Sequence, residues 1–127
     1  MSIKSSQTLV IEALKSVNTI SPEIAMDLLK NKKCNLIDIR DVRELQKEGR
    51  ISKSEHIPRG MLEFWMDPDS AYFKEGKLDM DKEMVLFCAG GLRSALAAKS
   101  LIDMGFEKVS HIDGGFASMK AKGFEIV

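Results

Sequence analysis

The sequence predicts an α/β fold, a parallel sheet with helices on its faces. Three observations carry that reading. Short apolar runs alternate along the chain with segments of helical periodicity, and glycines and prolines stand singly at the ends of those segments. At 127 residues and 44% apolar content the chain can supply one hydrophobic core but not two. The prediction is therefore a single domain over residues 1–127, with 1–18 as a lead-in helix.

Thr8 to Val17 place apolar side chains at Leu9, Val10, Ala13, Leu14 and Val17, a helical stripe that ends at Asn18. Thr19 and Ile20 make a short strand. Ser21, Pro22 and Glu23 then combine a hydroxyl cap, a proline at the first helical position and an acid in the first turn, so a helix is predicted to Leu29 or Lys30. Cys34 to Ile39 is an apolar run between Asn31–Lys33 and Arg40–Asp41, which reads as a buried strand. Asp41 to Glu48 begins like a capped helix and stops at Gly49. His56, Ile57 and Pro58 form a brief strand that the proline ends.

Asp67 to Glu83 holds six acids and three lysines around Tyr72 and Phe73, and reads as a long solvated connector with at most one helical turn. Met84 to Phe87 is a strand, Ser94 to Met104 a helix closed by Gly105, and Lys108 to Ile112 a strand that runs into Asp113, Gly114 and Gly115. Ligands in such sheets bind beyond the carboxyl ends of the strands. Three of these ends are polar or flexible (Asp38 to Arg40, Cys88 to Arg93, Asp113 to Gly115), and they are expected to converge on one crevice.

The charges cancel, 19 Lys and Arg against 19 Asp and Glu. This argues against nucleic-acid or anionic-lipid binding driven by net charge, though it leaves room for a local basic pocket. Two cysteines and two histidines are too few for a structural zinc site or a disulfide framework, and no metal or other cofactor is expected. The apolar stretch near Met1 is interrupted by Glu12 and Lys15, unlike a signal peptide or a membrane span, so a cytoplasmic protein is expected.

The chemistry is concentrated in Phe87 to Leu101, FCAGGLRSALAAKSL. Cys88 follows a buried strand and precedes a helix, where the positive end of the helix dipole lowers a thiol's pKa. Gly90 and Gly91 allow successive amides to turn inward as an anion nest. Arg93 closes the loop with a permanent cation, and Ser94 is predicted to cap the helix. An isolated cysteine is more often a buried, inert thiol; the glycine pair and the arginine favour a nucleophile here.

In these residues the chain resembles the rhodanese family of sulfurtransferases, in its single-domain form, over about Ile20 to Gly123. The resemblance lies in LIDIRD (Leu36 to Asp41) with Glu44 after it, and HIPRGMLEFW (His56 to Trp65). It continues in the cysteine loop with its arginine five positions on, and in DGGF (Asp113 to Phe116) with Gly123 beyond. It implies a central five-stranded parallel sheet flanked by helices, Cys88 as the sulfur-carrying nucleophile, and the amides of Ala89, Gly90, Gly91, Leu92 and Arg93 as its cradle. Within the fold, sulfur-transferring members use a six-residue loop from cysteine through arginine, as here, and the related phosphatases and arsenate reductases a longer one. Three departures stand out. Ala89 is neutral where a charge is common. GRISKS (Gly49 to Ser54) replaces a Gly-His-Ile-Pro-Gly-Ala pattern, and Phe116 and Met119 stand where a tryptophan is frequent.

The implied reaction moves sulfur from a small donor such as thiosulfate through a Cys88 persulfide to cyanide, a thiol or a protein acceptor. Asp38 and Arg40 are expected to support the loop as an ion pair. Arg59 is either a contributor of positive potential or solvated, and His56 and His111 are read as packing or hydrogen-bonding groups. Cys34 is read as buried and inert, since a resolving role would require it close to Cys88. Met61, Leu62, Phe64, Trp65 and Met66 are core and pocket wall, or an acceptor-binding rim where exposed. A noncatalytic binding or oxidant-sensing module using Cys88 is the alternative, with phosphate-ester hydrolysis a third reading.

Overall fold

The computed structural model describes residues 2–73 and 76–127. Along the chain lie α1 (Ser6–Leu14), β1 (Asn18–Ile20), α2 (Pro22–Lys30), β2 (Cys34–Asp38), α3 (Val42–Glu48) and β3 (Glu55–His56). A 3-10 turn (Arg59–Met61) then leads into α4 (Leu62–Met66), followed by β4 (Glu83–Phe87), α5 (Leu92–Met104), β5 (Val109–Ile112) and α6 (Gly115–Lys122). The five strands form one sheet in the order β1-β5-β4-β2-β3, every pairing parallel.

Local chemistry explains most boundaries. The Ser5 and Ser21 side chains accept from the amides of Thr8 and Ile24 and start α1 and α2. Asp41 and Glu44 form a reciprocal capping box on α3. The lead-in helix begins and ends earlier than the apolar stripe suggests, because the Ser5 cap sets its start and Val17 lies in the turn before β1. Between Asp67 and Glu83 the described residues form turns and no helix; Lys74 and Glu75 lie outside the described residues. Two helices had no sequence expectation, α4 and α6. The first is five residues long, and the second opens on two glycines.

Side chains of β4 alternate across the sheet. Met84, Leu86 and Cys88 join a core with Leu62 and Met66 of α4 and Ala97, Ala98 and Leu101 of α5. Val85 and Phe87 face the other way, toward Ala25 of α2 and Phe116 and Met119 of α6. The central strand is thus covered on both faces, which is what a continuous apolar run requires. No helix among the described residues is long and apolar enough to cross a membrane.

At the carboxyl end of β2, Asp38 and Arg40 form an ion pair with both side chains fully buried (Nη2–Oδ2 2.8 Å, Nε–Oδ1 3.0 Å). Arg40 also donates to the Gly49 carbonyl at 3.0 Å, and its guanidinium carbon sits 4.1 Å from the centre of the Phe116 ring. Its Nη1 has no hydrogen-bond partner among the described residues. Asp38→Asn keeps an acceptor for the Arg40 amide but leaves a buried cation uncompensated. It is expected to cost about 3–5 kcal/mol in urea unfolding, and replacing the pair by Asn and Met should recover most of that loss. A single-variant loss below about 1 kcal/mol would remove the pair from the support of the fold.

Candidate active site

Cys88 is the first residue beyond the central strand β4, and its chain turns directly into α5. The helix begins at Leu92, with Gly91 as its N-cap at φ +104° and no side-chain cap. The sulfur takes that place. Cys88 Sγ accepts from the Gly91 amide at 3.1 Å and from the Ser94 amide at 3.4 Å, and lies 3.5 Å from the Ser94 hydroxyl. Ser94 is therefore not the cap expected from the sequence. It is a buried first-turn residue whose hydroxyl and amide both serve the sulfur. The expectation failed because the glycine pair lets the helix start two residues earlier.

The outer side of the loop is held by α6. Phe116 and Ala117 donate their amides to the carbonyls of Cys88 (2.7 Å) and Ala89 (3.3 Å). Gly115 has φ +57°, and a β-carbon there would overlap the Cys88 carbonyl oxygen. Gly91 in turn packs on Gly114, whose amide nitrogen is 3.4 Å from where a Gly91 β-carbon would stand. The cysteine loop and the Asp113–Gly115 turn thus meet, and Ile39 donates its amide to the Phe87 carbonyl at 3.0 Å to bring in the end of β2.

The Cys88 residue is only 1% exposed, and burial alone would raise its thiol pKa. Hydrogen bonds from the Ser94 side chain and backbone and from the Gly91 and Gly90 amides outweigh burial and hold it below the ordinary value. Arg93 carries the permanent cation expected from the sequence, and it is paired. Its guanidinium is bound bidentately by Glu44 (2.7 and 2.9 Å), and this contact holds the Glu44 carboxyl below its usual range. Spacing alone did not reveal Glu44's part, because its partner is 49 residues away.

His111 on β5 is 2% exposed and bridges two hydroxyls, Ser94 Oγ at 2.9 Å from Nδ1 and Thr19 Oγ1 at 2.8 Å from Nε2. Burial, offset in part by Asp113, lowers its pKa and leaves the imidazole neutral at neutral pH. His56 donates Nε2–H to the Arg40 carbonyl at 2.7 Å. Arg59 is ion-paired with Glu63 at 2.9 Å, so its charge is not available to the site. Glu63 also accepts from Ser100, eight residues beyond Leu92, which sets α4 about 12 Å down α5 from the loop. Leu62 and Met66 are core, Trp65 packs partly buried against the same cluster, and Phe64 is 52% exposed and edge-on to Tyr72. Within the loop itself Leu92 is exposed.

Cys34 is half-buried at the start of β2, opposite Glu83, whereas Cys88 follows the far end of β4. Five strand residues separate those levels, about 16 Å, too far for a disulfide. No group of three or more His, Cys, Asp and Glu among the described residues is placed to hold a metal ion.

The rhodanese-like domain family model matches residues 21–122. The structure superposes with a TM-score of 0.91 on a protein of unknown function, described as a possible tyrosine phosphatase, from Rhodopseudomonas palustris, at 42% identity over 100% of this chain and 98% of the other. A polysulfide-sulfur transferase from Wolinella succinogenes, solved as a homodimer, gives 0.75 at 31% identity over 95% and 85%. Thiosulfate sulfurtransferase GlpE of Pseudomonas savastanoi is 34% identical over 80% of this chain and 86% of its own length. The chain spans about half (52%) of a further relative, the putative sulfur carrier protein YrkF of Bacillus subtilis, at 28% identity.

The two thiols should separate on titration. Burial is the main reason the Cys34 thiol is pushed up to about 11, with Glu83 adding to it, while Cys88 titrates below the ordinary 9.0. As pH rises, iodoacetamide labelling followed by peptide mass mapping is expected to accelerate first at Cys88 and only in strong alkali at Cys34. The reverse order would exclude an activated Cys88.

Proposed function

The chain belongs to the rhodanese-like domain family, and from that premise we propose that it is a sulfurtransferase that carries sulfane sulfur on Cys88. The observation that carries this reading is the sulfur's position as the cap of α5, with amide and hydroxyl donors on it and a six-residue loop from Cys88 through Arg93. Such a site stabilises a thiolate and, after reaction, a persulfide anion, without a general base on the substrate. The GlpE and Wolinella relatives support the same class of reaction.

With thiosulfate as donor, the Cys88 thiolate attacks the outer sulfur. A bond forms between Cys88 Sγ and that sulfur, the bond to the oxidised sulfur breaks, and sulfite leaves with the electron pair. A thiolate acceptor, either small or on a protein, then takes the terminal sulfur and restores the Cys88 thiolate. The short loop also separates this reading from phosphate-ester hydrolysis, for which related sites use a longer loop.

Intact mass measurement after incubation with thiosulfate is expected to show one added sulfur atom on the wild type and none on Cys88→Ser. An unmodified wild type would rule out thiosulfate as donor, and phosphate release from an aryl phosphate would revive the phosphatase reading.

The Glu44–Arg93 pair gives a second test. Ala89 is uncharged and Glu44 compensates Arg93, so the mouth exerts little pull on a dianion. Glu44→Gln keeps an acceptor for the Asp41 amide and frees the guanidinium. It should lower KM for thiosulfate several-fold with little change in kcat, whereas an unchanged KM would show that Arg93 does not meet the donor.

A further inference from the structure

We propose that His111 is a positioning residue for Cys88, acting through Ser94, and that Cys88–Ser94–His111–Thr19 is the proton path between the buried sulfur and the outer edge of the sheet. The proposal deepens the sulfurtransferase reading and rests on Cys88 being its nucleophile.

The argument starts from access. A thiol must lose its proton to become nucleophilic, and a residue that is 1% exposed gives solvent little direct access to that proton. The sulfur's nearest polar neighbours are the Gly91 amide, the Ser94 amide and the Ser94 hydroxyl. Amides only donate, so the hydroxyl alone can accept the proton. Ser94 is itself fully buried, and its hydroxyl also meets His111 Nδ1 at 2.9 Å. The opposite nitrogen of that ring reaches Thr19 Oγ1 at 2.8 Å. Thr19 is an exposed residue of β1, the edge strand, so the chain of contacts ends in solvent.

The protons balance along this line. In the thiol state S–H donates to Ser94 Oγ, the Ser94 hydroxyl donates to Nδ1, and Nε2–H donates to Thr19. Each group passes one proton outward. Cys88 becomes a thiolate, Ser94 takes the thiol proton and gives its own to Nδ1, Nε2 gives its proton to Thr19 Oγ1, and the Thr19 hydroxyl proton leaves to water. Afterwards Thr19 donates to Nε2, Nδ1–H donates to Ser94, and Ser94 donates to the sulfur anion. The imidazole begins and ends neutral and changes only its tautomer. The thiolate and a persulfide anion are therefore met by the same polarised donor.

Burial keeps the ring neutral as the path requires. The groups facing it are Thr19 from β1, Leu86 from β4 and Ser94 from α5; Asp113, just beyond its own strand, is the charge that acts on it.

The test reads the thiol and the ring directly, in a Cys34→Ser background, with iodoacetamide as probe. His111→Leu is expected to raise the Cys88 labelling inflection by about one pH unit, Ser94→Ala to do the same, and the double variant to add little. His111→Asn, which restores a polar group at the Nδ1 position, should recover most of the shift.

In ¹⁵N spectra of the wild type the His111 signals should change from the Nε2–H to the Nδ1–H pattern as Cys88 titrates, and should not do so in Cys88→Ala. A His111→Leu protein with an unmoved inflection, additive shifts in the double variant, or a ring tautomer indifferent to Cys88 would overturn the proposal. Should His111→Leu fail to fold, Thr19→Val on the exposed edge carries the test. An upward shift supports positioning through the hydrogen-bond chain and an unmoved inflection overturns it, while the ¹⁵N tautomer change reads the relay itself. None of these readouts needs a sulfur donor, so a failure of thiosulfate loading with a normal titration counts against the donor and not against the relay.

Discussion

The site depends on where two carbonyl oxygens point. The backbone of Cys88 and Ala89 must turn its carbonyls to one side if the following amides are to face the sulfur on the other. The first free amides of α6 hold them there through Phe116 to Cys88 at 2.7 Å and Ala117 to Ala89 at 3.3 Å. Helix α6 gains partners for amides that no turn of its own could satisfy, and the loop gains its direction. Gly115 makes this approach possible, because any side chain at φ +57° would both strain the backbone and strike the Cys88 carbonyl. The sulfur cradle is therefore a product of β4, α5 and the β5–α6 turn together.

Having no net charge is compatible with such a site because the anion is met by dipoles. Among the described residues Arg93 is paired with Glu44, Arg40 with Asp38 and Arg59 with Glu63. The Gly91 and Ser94 amides and the Ser94 hydroxyl remain, fixed by the fold and shielded from water, where a hydrogen bond to an anion is worth about 1.5–3 kcal/mol each. The result favours a polarisable sulfur anion that sits within the cradle over a strongly hydrated dianion that needs an uncompensated cation.

Much of the sheet was legible in the sequence, since β2, β4 and β5 are apolar runs and α2 and α3 carry their caps in adjacent residues. The cysteine loop was legible for the same reason, as strand, cysteine, glycines and helix are contiguous. What escaped notice is non-local or weakly patterned. Helix α6 opens on two glycines that argue against a helix, and its start is stabilised by the loop carbonyls instead. Ser94 matches a cap by residue type, yet the true cap is a sulfur six residues earlier. His111 reads as an ordinary strand histidine until β1 and α5 bring a hydroxyl to each of its nitrogens from 92 and 17 residues away.

Burial of Cys88 constrains how any reagent reaches its sulfur. Cys88 and Ser94 are closed off below, α6 closes one side, and the Glu44–Arg93 pair stands at another. The remaining approach is over Gly90, which is exposed and has nothing within 4 Å of where a β-carbon would stand, with exposed Leu92 beside it. A sulfur added to Cys88 extends about 2 Å beyond Sγ. Directed toward Gly90, it would stand nearer the mouth of the cradle than Sγ does. In the proposed reaction the donor would have to come within bonding distance of Sγ itself, whereas the added sulfur would stand nearer the mouth. An acceptor in that reaction would need to reach only this outer atom, over the side on which Gly90 and Leu92 are exposed.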